Sequence, residues 1–210
     1  VRWNAHKSYL REVRDAGAPL LPTRFGRALQ AADLEAAFDV FGCDELIIKP
    51  AISANARDTF RYPRGAPRIL EAQIISAHTG DYLIQPFAPE VLTQGELSLF
   101  YFFSASSRRE GQLSHAVLKT PKPGDFRVQE EHGGVLKRVT PDDDALHAAK
   151  MCLNAVPFEL LYARVDLVRF EGTWQLMELE LIEPSLYFPL DDESPARFAR
   201  AVHTRLGRRD

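Results

Sequence analysis

The sequence predicts an α+β chain of two small lobes, and three observations carry that prediction. Residues 1–88 alternate helical and strand patterns, residues 89–210 are dominated by two apolar hairpin patterns, and FAPEVLTQG, residues 87–95, lies between them. With 210 residues, 45% of them hydrophobic, the chain can bury a core as one domain or as two lobes.

The elements follow in order. After Asn4, Leu10, Val13 and Ala16 recur at helical spacing, and GAP at 17–19 stops that helix. LLPTRF leads into a second helical stretch over 28–41. DELIIKP, 44–50, is a short apolar strand ending in Lys49 and Pro50, and the small and polar run AISANARDT follows. Leu70, Ile74 and Ile75 mark a helix and DYLIQPF, 81–87, a strand, so this half reads as a small α/β lobe. In the second half, the apolar run of GELSLFYFF predicts a strand covered on both faces, paired with QLSHAVLK across the turn SSRREGQ. PDDDALHAAKMCLNAV has the acidic first turn that suits a helix N-terminus. YARVDLVRFEGTWQLMELEL reads as a second hairpin, and SPARFARAVHTRL closes the chain as a helix.

Composition narrows the function. The 26 basic and 29 acidic residues give a net charge of -3 with scattered arginines, so nucleic acid is not an expected partner. No apolar run approaches the roughly 18 residues of a membrane span. The N-terminus VRWNAHKSYL carries charge where a signal peptide needs an apolar stretch, which places the protein in the cytoplasm. Cys43 and Cys152 lack metal-ligand spacing and read as reduced, structural thiols. The chain begins with Val1 and enters a helical pattern almost at once, so it reads as part of something longer. The oligomeric state is open, a homodimer included.

Chemistry concentrates near the C-terminal end, in MELELIEPS, 177–185. On a strand Glu178 and Glu180 share one face, while Met177, Leu179 and Leu181 share the other. A three-residue turn at Glu171, Gly172 and Thr173 sets Phe170 against Trp174 and Asp166 opposite Glu178. Facing carboxylates repel, and a divalent cation or basic side chains such as Arg164 would relieve them. Oxygen ligands alone favour Mg²⁺ or Mn²⁺, with Asp166, Glu178 and Glu180 as candidate ligands. Glu183 falls off the alternation and goes with Ser185 to a substrate side.

Lys49 at a strand end, before small residues that admit close backbone approach, is a candidate phosphate contact; an ordinary strand-end lysine is the alternative. No GxxxxGK[ST] or GxGxxG is present. In LIQPF, Pro86 has no N–H, leaving the Gln85 carbonyl and the Phe87 N–H as a candidate edge for adenine, or simply marking the end of a strand. His115 in SHAVLK and His132 in EEHGG are set apart as candidates, and the other histidines read as ordinary surface or helix residues.

Taken in order, these pieces resemble the ATP-grasp ligases, in particular the branch similar to bacterial glutathione synthetase and the subgroup that includes the D-cycloserine-forming ligase. SHAVLK, FRVQ, HGG and ELExxEPS carry the closest likeness. The resemblance implies a two-lobed fold with a nucleotide cleft between the lobes. It also implies phosphate contacts from Lys7 and Lys49, an adenine hinge at Gln85–Phe87, a ribose contact from Glu96 and Mg²⁺ on Asp166, Glu178 and Glu180. KTPKPGDFRVQEEHGG nominates Lys119 and Arg127 for acyl phosphate and substrate, with Gly133 and Gly134 beside them. The family's glycine-rich phosphate loop is SANARDT here, and its N-terminal substrate lobe has no counterpart. The implied activity is activation of a substrate carboxylate by ATP and transfer of the acyl group to an amine, both small molecules. A glutathione-synthetase-like or peptide ligase is a second reading, and a nucleotide-binding module without turnover a third.

Overall fold

The structure, a computed structural model, describes residues 2–104 and 111–207. Nine strands form two antiparallel sheets among these residues, as an α+β chain requires. The four-stranded sheet contains β1 (Arg24–Arg27), β2 (Glu45–Pro50), β3 (Phe60–Pro63) and β4 (Asp81–Pro86) in the order β1-β4-β2-β3. The five-stranded sheet contains β5 (Glu96–Phe102), β6 (Gln112–Thr120), β7 (Val135–Val139), β8 (Tyr162–Phe170) and β9 (Thr173–Glu180) in the order β7-β6-β5-β8-β9. The helices are α1 (Arg2–Ala5), α2 (Tyr9–Asp15), α3 (Ala31–Phe41), α4 (Arg68–Ala77), α5 (Glu90–Gln94), α6 (Asp143–Asn154) and α7 (Ser194–Leu206). None is long and apolar enough to cross a membrane.

Each long element has a local cause. All seven residues of β5 are buried, as its apolar run requires, because β5 lies between β6 and β8 at the centre of its sheet. The α6 N-terminus is capped by Asp142, which accepts from the Ala145 N–H at 2.7 Å. Asp33 accepts from the Gln30 N–H at 2.9 Å at the start of α3, and Gly42 ends that helix at φ 60°.

Several expectations are corrected. The first helix is two helices, broken where the Lys7 N–H donates to the Ala51 carbonyl at 2.8 Å. The stretch expected as helix from 28 begins only at Ala31, because Ala28 is left-handed at φ 54° and the Ala28 and Leu29 N–H groups donate to the Gly80 and His78 carbonyls, each at 3.0 Å. β3 and β7 are additional short strands. The turn expected at SSRREGQ lies mostly outside the described residues.

Packing also departs from a division at residue 88. Tyr9, Leu10 and Val13 of α2 are buried in one cluster with Leu97, Val165, Leu167 and Leu179 of the five-stranded sheet and with Ala149 and Cys152 of α6. The Tyr9 hydroxyl donates to the Leu179 carbonyl at 3.0 Å and accepts from the Leu179 N–H at 2.7 Å. Burying side chains of this size stabilises by roughly 1.5–3 kcal/mol each, which fastens the N-terminal helices to the larger sheet, in a cluster that also takes in Leu83 of β4 and, packed against it, Phe25 of β1. A second cluster, Leu34, Phe38, Leu46, Ile48 and Ile84 among it, fills the four-stranded sheet beneath α3 and α4. A third, with Leu21, Phe87, Val91, Val128 and Val168 buried and Met177 against it, joins residues from both sheets.

The β8–β9 hairpin reaches the expected pairing by a different route. Its turn has two residues, Glu171 and Gly172 at φ 51° and 81°, so Phe170 faces Thr173. After four regular pairs the register slips: Leu167 faces Leu176, while Asp166 faces Glu178. Met177 is the extra residue of a β-bulge, and it leaves the core alternation to face the cleft beside Glu178.

Candidate active site

A cleft of about 690 Å³ opens between the two sheets, a size suited to a nucleotide-sized ligand. One end is apolar, lined by Leu21, Ile47, Phe87, Val91, Val168 and Met177. The expected hinge borders this end, with a correction. The Phe87 N–H donates to the Glu45 carbonyl at 2.9 Å and is not free for a ligand, and the Gln85 side chain donates to Thr23 Oγ1 at 2.9 Å. Pro86 faces Leu46 in the ladder next to that bonded position, so its carbonyl points away from β2. The free edge is therefore shifted by one residue, to the Pro86 carbonyl and the Ala88 N–H.

The charged end begins at Lys49. Its side chain is 6% exposed at the end of β2, lines the cleft, and has no hydrogen-bond or ion-pair partner among the described residues. Burial lowers its pKa, opposed by Glu178 and reinforced by Lys7. Lys7, at the break between α1 and α2, reaches Glu178 Oε1 at 3.2 Å and donates to the Ser53 carbonyl at 3.0 Å. It thereby ties the acidic hairpin to the 53–59 loop. In that loop Asn55, Ala56 and Asp58 adopt left-handed backbone at φ 53–54°, the conformation that glycine would take freely. Holding non-glycine residues there costs about 1–2 kcal/mol each.

Asp166, Glu178 and Glu180 share the cleft, and each has a basic partner. Arg164 lies two residues before Asp166 on the same face of β8 and directly opposite Glu180. It grips Asp166 with two bonds, Nε to Oδ1 at 3.0 Å and Nη2 to Oδ2 at 2.9 Å, and Nη2 also contacts Glu180 Oε1. Ser98 donates to Asp166 Oδ1, and Lys119 Nζ stands 3.5 Å from the same oxygen. Burial would raise the Asp166 pKa, but Arg164 and Lys119 outweigh it and hold it down to about 2. Glu180 goes the other way: burial, then Asp166, push it up to about 7 against the pull of Arg164.

The carboxylate repulsion expected from the spacing is thus relieved by Arg164, Lys119 and Lys7. No three His, Cys, Asp or Glu side chains among the described residues stand together as a ready cation site. The donor set nevertheless suits a hard cation. The Glu178 and Glu180 side chains are each 31% exposed and keep an oxygen free of any ion pair, whereas both oxygens of Asp166 are engaged.

Glu96 and Lys119 are direct partners across β5 and β6, and their buried side chains form an ion pair on the cleft wall. Burial pushes Glu96 up while Lys119 opposes it. Arg127 lines the cleft but is held by Asp125, Nε to Oδ1 at 3.0 Å and Nη2 to Oδ2 at 2.8 Å. Gly133 and Gly134 do not line the cleft; they turn the chain. Gly133 sits at φ 84°, and a Cβ on Gly134 would come within 2.0 Å of the Val128 carbonyl oxygen. Glu183 and Ser185 do line the cleft, and the Ser185 carbonyl accepts from Arg164 Nη1 at 3.3 Å. Of the two histidines singled out, His132 Nε2 lies 3.4 Å from the Asn55 carbonyl and His115 is buried behind the cleft.

The structure adds residues that the sequence left aside. Arg164, expected only as a basic neighbour that could relieve the carboxylates, also lines the cleft on the face of Asp166. Met177, Ala88 and Tyr187 carried no signal, because a bulge, a one-residue ladder shift and a turn conformation brought them in.

No family model matches the chain. The cycloserine biosynthesis protein DcsG of Streptomyces lavendulae is 28% identical, over 98% of this chain and 71% of that protein. The crystal structure of D-cycloserine synthetase DcsG superposes with a TM-score of 0.81 at 26% identity, again over 98% and 71% of the two chains. The ATP-grasp ligase PsnB, solved with Mg, ADP and a phosphomimetic variant of its minimal precursor, has a TM-score of 0.66 at 16% identity over 96% of this chain and 58% of its own. D-alanine–D-alanine ligase from Bacillus anthracis has a TM-score of 0.69 at 12% identity, over 97% and 66%. The chain has the ATP-grasp fold and is similar in sequence to an ATP-grasp ligase of known structure.

Proposed function

We propose that the chain is an ATP-dependent carboxylate–amine ligase that works through an acyl phosphate, in the manner of the D-cycloserine synthetase it resembles. Lys49 carries the reading. A buried ammonium without a partner is costly, and an anion placed where the apolar slot meets the acidic hairpin offsets that cost. The slot of Leu21, Phe87, Val168 and Met177 takes the adenine ring, with the Pro86 carbonyl and Ala88 N–H along its edge, Glu96 toward the ribose, and Lys7 and Lys49 on the phosphates. Glu178 and Glu180 would hold Mg²⁺ or Mn²⁺, joined by Asp166 once its ion pairs loosen. When bound, the cation neutralises charge on the transferring phosphoryl group.

Lys119, Arg127 and Arg164 orient the substrate carboxylate, with Glu183, Ser185 and the turn at Gly133 and Gly134 shaping the space around it. One carboxylate oxygen forms a bond to the γ-phosphorus as the bond to ADP breaks. The amine then forms the bond to the acyl carbon, loses a proton, and phosphate leaves. The enclosed cleft keeps water from the acyl phosphate. Two unpaired cysteines and a dependence on ATP go with a cytoplasmic location. Release of ADP and phosphate should depend on both a carboxylate and an amine, measured over a panel of D- and L-amino acids and O-substituted serines. ATP binding without amine-dependent ADP release across the panel would leave a nucleotide-binding module in its place.

A further inference from the structure

Tyr187 is the only tyrosine lining the cleft among the described residues, and its backbone is held in an unusual conformation. At φ 45° and ψ 40° it occupies the left-handed region, which a bulky residue keeps only when its surroundings fix it. They do so from both sides. Arg164 Nη1 donates to the Ser185 carbonyl at 3.3 Å, His115 Nε2–H donates to the Leu186 carbonyl at 3.0 Å, and the Leu190 N–H donates to the Tyr187 carbonyl at 2.9 Å.

His115 is itself braced. Its ring stacks on Phe100 at 4.3 Å, and Nδ1 accepts from the Ser114 hydroxyl at 3.1 Å, whose oxygen accepts from Arg197 Nε at 3.0 Å. Arg197 in turn is anchored on the buried Asp191. The Tyr187 ring meets the other edge of this frame, edge-on to Phe100 at 6.0 Å. Its hydroxyl has no hydrogen-bond partner among the described residues, so the frame fixes an aromatic ring in the cleft and leaves its polar end unused.

The unpartnered phenol shares the cleft with Lys119 and Arg164. Burial keeps it protonated, opposed by Lys119 and Arg164 and reinforced by Asp166 and Glu130. A neutral O–H donor beside two cations suits an anionic oxygen. We propose that Tyr187 is a substrate-binding residue: its phenol O–H donates to the carboxylate oxygen that does not attack phosphorus. That oxygen becomes the carbonyl of the acyl phosphate and carries the negative charge when the amine adds, so the bond strengthens as the reaction proceeds. This assignment rests on the ligase reading above and adds a residue to it.

The test uses acetyl phosphate as the acyl-phosphate probe and runs the first step backwards, acetyl phosphate and ADP giving acetate and ATP. Tyr187→Phe keeps the ring against Phe100 and removes only the hydroxyl. Mg²⁺-ADP should bind the variant within about 2-fold of the wild type, which also reports an intact fold, while ATP formation falls at least about 10-fold. Unchanged ATP formation in the variant overturns the role of Tyr187. Failure of the wild type to form ATP while binding Mg²⁺-ADP removes the acyl site and overturns it as well. Failure of the wild type to bind Mg²⁺-ADP overturns the ligase reading itself.

Discussion

Lys49 holds a buried positive charge with no direct hydrogen-bond or ion-pair partner among the described residues, and two consequences follow from that one residue. Replacing it with Met should leave the ligand-free protein as stable or more stable by about 1 kcal/mol or more, because a desolvated charge is exchanged for apolar bulk. The same change should weaken nucleotide binding at least about 10-fold, through loss of a charge-assisted phosphate contact. Urea unfolding and calorimetry on one variant read both effects. Stability and affinity falling together would make Lys49 structural. At this scale the sequence was informative where strand period alone decides the face, as it does for Glu178 and Glu180. It was uninformative where a neighbour decides the role: nothing in LIQPF shows that Glu45 takes the Phe87 N–H.

The β8–β9 hairpin shows how an element can carry a correct pairing on an incorrect count. A three-residue turn and a regular ladder were expected; a two-residue turn and a bulge at Met177 give the same partner for Asp166. Gly172 sits at φ 81°, so Gly172→Ala should cost about 1 kcal/mol in urea unfolding by straining that turn. A neutral substitution would place the strain elsewhere.

The loop leading to Gly133 makes a separate prediction from its charge. The Arg127 side-chain bonds, with backbone N–H groups of Phe126 and Arg127, hold the Asp125 carboxyl well below the usual carboxylate range. A depressed folded-state pKa stabilises above the unfolded value near 3.9 and loses that contribution as pH falls through the folded value. Asp125→Asn should therefore be less stable than wild type at pH 6–7, with the gap closing below about pH 4. A gap that persists undiminished at low pH would mean the charge is not the cause. The long strands and helices were legible because period and apolar run length specify them. β1, β3 and β7 were not, because RFGR, FRYP and VLKRV are too short and too polar to show a period, and pairing with β4, β2 and β6 supplies what the segments lack.

At the scale of the whole molecule, two antiparallel sheets meet across an apolar slot that continues into a charged end, and the N-terminal helices are fastened to the larger sheet by Tyr9 on Leu179. A sequence can show which segments are apolar without showing which sheet a helix will join, and α2 shares its core with five-stranded-sheet residues as well as with Leu83 and Phe25 of the sheet its chain position suggested. Because both sheets contribute to the cleft, a ligand bound there stabilises them jointly, by about 2.7 kcal/mol at 100 times its dissociation constant. Thermal unfolding should shift upward with Mg²⁺-ATP and much less with Lys49→Met. The central claim is that this cleft binds ATP through Lys49 and the acidic hairpin, and the direct measurement is calorimetric titration of the wild-type chain with ATP, with and without Mg²⁺. Binding that tightens at least about 10-fold with Mg²⁺, and loses that gain in Glu178→Gln and Glu180→Gln, is the expected result. No heat at millimolar ATP from folded protein, or equal affinity with and without Mg²⁺ in all three proteins, would contradict it.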